Sequence, residues 1–208
     1  MGPGRRAHAP DTLRRVVRPP TVIRQVPPDW IATPIEGVAR RTLPAHVDER
    51  GSLRELWRTS WSVPGSNAHF VQANLSHSKA GVLRGLHFHL RQADLWVVLR
   101  GRAHVAVVDL RARLTGSPET PTLTMELAAG DAVFIPERVA HGFWALEDLD
   151  LLYLVTNEYD GTDELGFAWN DADAAVTWPG AAPLLSPRDE ANQSLAEALQ
   201  AAAAADAG

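Results

Sequence analysis

Two histidines, His87 and His89, stand one residue apart, with Arg84 just before them and Asp94 five residues after the second. In an extended strand, residues i and i+2 share a face. Both imidazoles therefore look the same way. If that face lines a cavity, two imidazoles converge there, with the Asp94 carboxylate as a candidate third group. Such groups can move a proton near neutral pH or hold a divalent ion. Taken alone, the pair fits equally well as surface histidines on an edge strand.

The elements around this stretch are short. Segments of β-branched and aromatic residues recur about every ten residues, with Gly, Pro, Asp or Ser between them. Strands are expected over 38–43, 52–57, 70–75, 82–90, 95–99, 103–110, 122–127, 132–135 and 151–155, with Asp48-Glu49-Arg50-Gly51 as a tight turn. Many short strands and few helical windows predict an all-β fold, an antiparallel jelly roll. Only the C-terminus reads as helical. Ser186-Pro187-Arg188-Asp189 has the form of a helix start, with Ser as cap and Pro at the first helical position. An Ala, Leu, Glu and Gln run follows from Asn192 to Asp206, its Ala-rich end expected to fray. Three stretches are expected: a flexible Arg/Pro-rich arm over 1–33, a jelly-roll domain over 34–190, and a helix with its Ala-rich tail over 191–208.

Composition narrows the chemistry. The 208 residues contain no cysteine, which excludes disulfides, thiol nucleophiles and thiolate metal sites. Any metal must use His, Asp or Glu. The net charge of −5 leaves no whole-chain footprint for nucleic acid. No apolar run approaches the ~20 residues of a membrane span, and the start of the chain has no apolar signal core. These features fit a cytoplasmic protein without nucleic-acid or membrane partners.

Two spacings resemble the cupin barrel. Gly81, His87-x-His89, Asp94 and Gly101 fit the first of its motifs, and Gly130, Pro136 and His141 fit the second. Asp94 stands where that pattern usually has Glu, and Arg138 where it usually has Gly. The resemblance implies a possible metal set of His87, His89, Asp94 and His141, with a divalent ion as cofactor.

A second resemblance covers roughly residues 40 to 190. Asp48-Glu49-Arg50-Gly51 with Glu55, Gln72-x-Asn74-x-Ser76-x-Ser78, Val82-Leu83-Arg84-Gly85-Leu86-His87 and Val107-Val108-Asp109-Leu110-Arg111 occur in order. Ile135-Pro136, His141-Gly142-Phe143, Tyr153, Tyr159 and Trp169-Asn170-Asp171 follow. Together they resemble the dTDP-4-dehydrorhamnose 3,5-epimerase family, which itself has the cupin-type jelly roll. The resemblance implies an isomerase acting on a dTDP-4-keto-6-deoxyhexose at carbon 3, carbon 5 or both, without a cofactor. It implies His87 as base, Asp171 as its carboxylate partner, and Tyr153 as the acid on the other face. Arg84 and Arg50 would bind the diphosphate, and Glu55, Gln72, Asn74 and His141 would complete the substrate site. It also implies a homodimer with exchanged N-terminal strands, Arg50 reaching across from the partner. Read without the resemblance, Tyr153 is a strand residue and Asp171 a turn or helix cap.

One departure bears on activity. The family carries a lysine facing the enolate oxygen, and Asp94 stands at that position. At ~4 Å and an effective dielectric of ~20, a cation and an anion there differ in sign by ~4 kcal/mol each. A metal-dependent cupin enzyme is therefore the alternative reading, and a sugar ketoisomerase of the related barrel a third, since Arg84-Gly85-Leu86-His87-Phe88-His89 also resembles its signature.

Overall fold

The structure is a computed structural model and describes Met1, residues 30–61, Val63 and residues 66–206. The expected N-terminal arm lies mostly outside the described residues. Thirteen strands form two facing antiparallel sheets and one hairpin, so the all-β jelly-roll expectation holds.

The first sheet has six strands: β1 (Ile31–Ala32), β2 (Ala39–Thr42), β10 (Asp131–Ile135), β7 (Asp94–Arg100), β12 (Leu149–Val155) and β5 (Gln72–Ser78), in that spatial order. The second has five: β13 (Leu165–Gly166), β6 (Leu83–Phe88), β11 (Val139–Ala145), β8 (Arg102–Asp109) and β9 (Thr122–Ala128). The hairpin of β3 (Ala45–Asp48) and β4 (Gly51–Arg54) joins neither sheet. One helical turn, α1 (Arg111–Leu114), follows β8. The C-terminal helix comes in two pieces, α2 (Pro187–Glu190) and α3 (Leu195–Asp206). The Ser186 cap and Pro187 are as expected, with Ser186 Oγ accepting from the Asp189 backbone N–H. The break before α3 is set by a second cap, Ser194, whose Oγ accepts from Glu197 N while Glu197 bonds back to Ser194 N.

Alternation along each strand separates three apolar clusters. Inward residues Trp96, Val98, Val105, Val107, Val133, Phe143 and Leu151 pack between the sheets. Outward residues Leu86, Phe88, Ala106, Val108 and Ala140 pack beneath Leu195, Ala198 and Ala202 of α3. On the other outer face, Leu95, Val97, Ala132 and Phe134 pack against Leu43 and Trp61. With Leu86 and Phe88 turned out, His87 must turn in. With Leu95 and Val97 turned out, Asp94 and Trp96 must turn in. The polar site is thus the inward set at one end of the barrel, and hydrocarbon fills the rest.

Three sequence expectations are corrected. The expected strand 52–57 ends at Arg54, so Glu55 leaves the hairpin and pairs with Arg58. β11 was not among the expected strands, because Gly142 breaks its pattern. β3, next to Pro44, was not expected either.

Gly142 is required by packing. At Gly85 (φ +126°) an added Cβ would lie 2.7 Å from Gly142 Cα, and one at Gly142 would lie 2.8 Å from Arg84 O. β6 and β11 approach backbone to backbone here, where His87 and His141 are register partners. Gly85→Ala combines a strained φ with a backbone clash and is expected to cost about 2–4 kcal/mol. The midpoint and slope of urea unfolding check this.

Candidate active site

A cavity of about 420 Å³ opens between the sheets. The six-stranded sheet contributes Gln72 and Asn74 from β5, Asp94 and Trp96 from β7, and Tyr153 from β12. The five-stranded sheet contributes Arg84 and His87 from β6 and His141 from β11. His89, just past β6, and Asp189 in α2 complete the polar wall.

His87 Nε2 lies 2.6 Å from Asp189 Oδ1. The Asp189 side chain is 4% exposed. Its other oxygen accepts from Ser186 Oγ at 2.8 Å. Burial alone would push this carboxyl up. The hydrogen bond and charge of His87, with further bonds from Ser186 and the Gly85 N–H, hold it below the usual carboxylate range. An ionised Asp189 keeps a proton on Nε2 and leaves Nδ1 of His87 as the basic nitrogen. The carboxylate also fixes the ring and stabilises an imidazolium when one forms.

Asp171, the partner implied by the resemblance, is elsewhere. Its oxygens accept from the backbone N–H groups of Asp173 and Leu195, at 2.9 Å each. It caps its own turn and the start of α3, as its local sequence suggests. Asp189 was missed because Ser186-Pro187-Arg188-Asp189 is fully explained as a helix start. In the sequence it is an acid in the first turn of a helix, which the helix start alone accounts for.

Tyr153 sits half-buried on the opposite sheet. Burial pushes its phenol above the ordinary value, Asp94 and Glu164 push the same way, and Arg84 opposes. It is a protonated donor at neutral pH. Gln72 and Asn74 bond to each other at 2.9 Å, and Gln72 Oε1 also accepts from Tyr159 N. Arg84 is oriented by Ser78 Oγ at 3.0 Å.

Two expected substrate residues are not in the cavity of this chain. Arg50 lies at the tip of the β3–β4 hairpin, exposed and paired with Asp48. Glu55 is held by Arg58. The four-residue metal set also changes. His89, Asp94 and His141 gather with ligand atoms within 4.8 Å of one another, and His87 is not of the group. The physical reason is that its Nε2 is taken by Asp189. Burial, resisted by the Asp94 charge, lowers the His141 pKa to about 4, so this ring is neutral.

The profile of the dTDP-4-dehydrorhamnose 3,5-epimerase family matches residues 32–197. The chain belongs to that family. It is 35% identical over 182 residues to the dTDP-4-dehydrorhamnose 3,5-epimerase of Neisseria gonorrhoeae, a match covering 84% of this chain and 55% of that protein. Among solved structures it is similar to NovW, a 4-keto-6-deoxy sugar epimerase from the novobiocin cluster of Streptomyces spheroides. The TM-score is 0.73 and the identity 34%, over 89% of this chain and 96% of that one. It is similar also to ChmJ, a 3'-monoepimerase from Streptomyces bikiniensis solved with dTDP-quinovose. Here the TM-score is 0.70 and the identity 30%, over 82% and 90% of the two chains. Family and fold make this a nucleotide-sugar epimerase scaffold. No helix among the described residues is long and apolar enough to cross a membrane.

Proposed function

We propose that this chain epimerises a dTDP-linked 4-keto-6-deoxyhexose at carbon 3, carbon 5 or both. The observation that carries this reading is the placement of a base and an acid on facing sheets. His87 with Asp189 lies on the five-stranded side and Tyr153 on the six-stranded side of one cavity. A sugar between them meets a base on one face and a phenol on the other. Protons beside a ketone are acidic. His87 Nδ1 removes one, the charge moves onto the carbon-4 oxygen, and Tyr153 delivers a proton from the opposite face with inversion. Both transfers use side chains, so neither proton step requires a cofactor. Arg84 suits the diphosphate, and Gln72 and Asn74 offer amides to the sugar.

The direct test is turnover of a dTDP-4-keto-6-deoxyhexose in deuterium oxide, read by mass spectrometry and proton NMR. Deuterium at carbon 3 alone assigns a monoepimerase, and at both carbons a double epimerase. No deuterium at either removes the mechanism.

The hairpin supports a homodimer as the working form. All of β3 is exposed, Val47 is 76% and Leu53 67% exposed, and Arg50 is exposed and does not line its own chain's cavity. We place this hairpin across a second copy, its arginine at that copy's diphosphate. Arg50→Ala is then expected to raise KM by about 10-fold or more, as loss of one guanidinium–phosphate contact does. Val47→Asp is expected to shift the mass seen by light scattering towards the monomer and to lower kcat/KM with it. A nucleotide-sugar substrate and a chain without cysteine fit work in the cytoplasm.

A further inference from the structure

We propose that the inner wall of the cavity holds one divalent transition-metal ion on His89, Asp94 and His141. These three ligand atoms lie within 4.8 Å of one another. His89 Nδ1 donates to the Asp163 carbonyl at 2.8 Å, and His141 Nδ1 donates to the Val139 carbonyl at 3.0 Å. Each ring therefore turns the Nε2 lone pair away from its carbonyl. His141 Nε2 stands 3.8 Å from Asp94 Oδ2, too far for a shared proton. Two imidazole nitrogens and a carboxylate oxygen, the latter also accepting from Trp96 Nε1, thus gather within 4.8 Å of one another.

The supporting bonds are those of a metal site. A ligating histidine gives its second N–H to a carbonyl or carboxylate, and a ligating carboxylate is itself hydrogen-bonded. Asp94 accepts from Gln92 Nε2 at 2.8 Å and Trp96 Nε1 at 3.1 Å. Asp163 is anchored in turn by the N–H groups of Leu90 and Arg91. Two imidazoles and a carboxylate with open positions suit Fe²⁺, Co²⁺, Ni²⁺ or Zn²⁺. Bonds of roughly 2.1 Å bring neighbouring ligands to roughly 3–3.5 Å, a contraction that side-chain rotation supplies.

The set excludes His87, whose Nε2 stays with Asp189. An ion here and a proton-transferring histidine therefore coexist. Bound, the ion would supply positive charge to the cavity on the wall that carries Asp94.

The experiment uses the full-length, tag-free protein, stripped with chelator and titrated with Co²⁺. One Co²⁺ per chain with d–d bands is expected. Asp94→Asn and His89→Asn should each weaken binding at least ~10-fold, with melting curves confirming the fold. His89 is the less buried of the two, so its variant decides if Asp94→Asn does not fold. His87→Asn and His104→Asn, the latter outside the cavity, should bind as wild type. Failure to retain Co²⁺, wild-type binding by both ligand variants, or loss of binding in His87→Asn would overturn the site. The readout is the ion's spectrum. A chain that incorporates deuterium yet binds no ion overturns this inference and leaves the epimerase reading intact.

Discussion

Asp189→Asn is expected to lower kcat by about 10²–10⁴-fold, as much as His87→Asn does. In free energy that is about 3–5 kcal/mol of transition-state stabilisation. Asp189 touches no reacting atom. It acts by holding the Nε2 proton and opposing the charge that forms on the ring. An asparagine at 189 can turn its amide N–H towards Nε2, which moves the ring proton to Nδ1 and blocks the base. The isosteric change leaves the Ser186 cap room to form, so stability should change little beside activity. Asp171→Asn is the matched control. Both Asp171 oxygens accept a backbone N–H, and an asparagine can accept only one of them, so the change costs about 1 kcal/mol through the lost bond, with kcat unchanged. Two residues acting as a unit give non-additive losses. The double variant His87→Asn with Asp189→Asn should therefore be no slower than His87→Asn alone. Steady-state rates of product formation, with thermal unfolding of each variant, check all four. Loss of kcat in Asp171→Asn with a normal Asp189→Asn would reverse the assignment.

The difference between those two aspartates shows what is legible in this sequence. Period-two alternation is local, so the inward placement of His87, Asp94, Trp96 and Tyr153 follows from their apolar neighbours, and the structure agrees. The Ser186 cap is local too, and it is found where expected. The partner of His87 is not local. It lies 102 residues away and is delivered by a helical turn docked on β6. Nothing near Asp189 announces that contact, because an acid in the first turn already has a reason to be there. β11 was hidden for the converse reason. Gly142 spoils the strand pattern, yet the same glycine lets β6 approach closely enough to set His141 opposite His87. Arg50 and Glu55, singled out by the resemblance, do not line this chain's own cavity, because the hairpin that carries Arg50 joins neither sheet and Glu55 is paired with Arg58.

Tyr153→Phe is expected to separate two events that occur together in the wild type. Inversion needs a proton from the face opposite the base, and the phenol is the group on the six-stranded side that can donate one. Its pKa is held above the ordinary value, first by burial and then by Asp94 and Glu164, so it enters each turnover protonated. Removing the hydroxyl deletes a single oxygen from a half-buried strand residue and leaves His87 and Asp189 untouched. His87 should still take a proton and return one from solvent to the same face. Deuterium uptake with retained configuration should then survive, while net epimerisation falls by about 10²–10⁴-fold. The two readouts come from one NMR time course in deuterium oxide: loss of the proton signal at carbon 3 or 5, and growth of the inverted product. His87→Asn should silence both. Equal inversion by Tyr153→Phe and wild type would mean that water or another residue protonates that face. The facing-sheet arrangement would then explain binding but not stereochemistry.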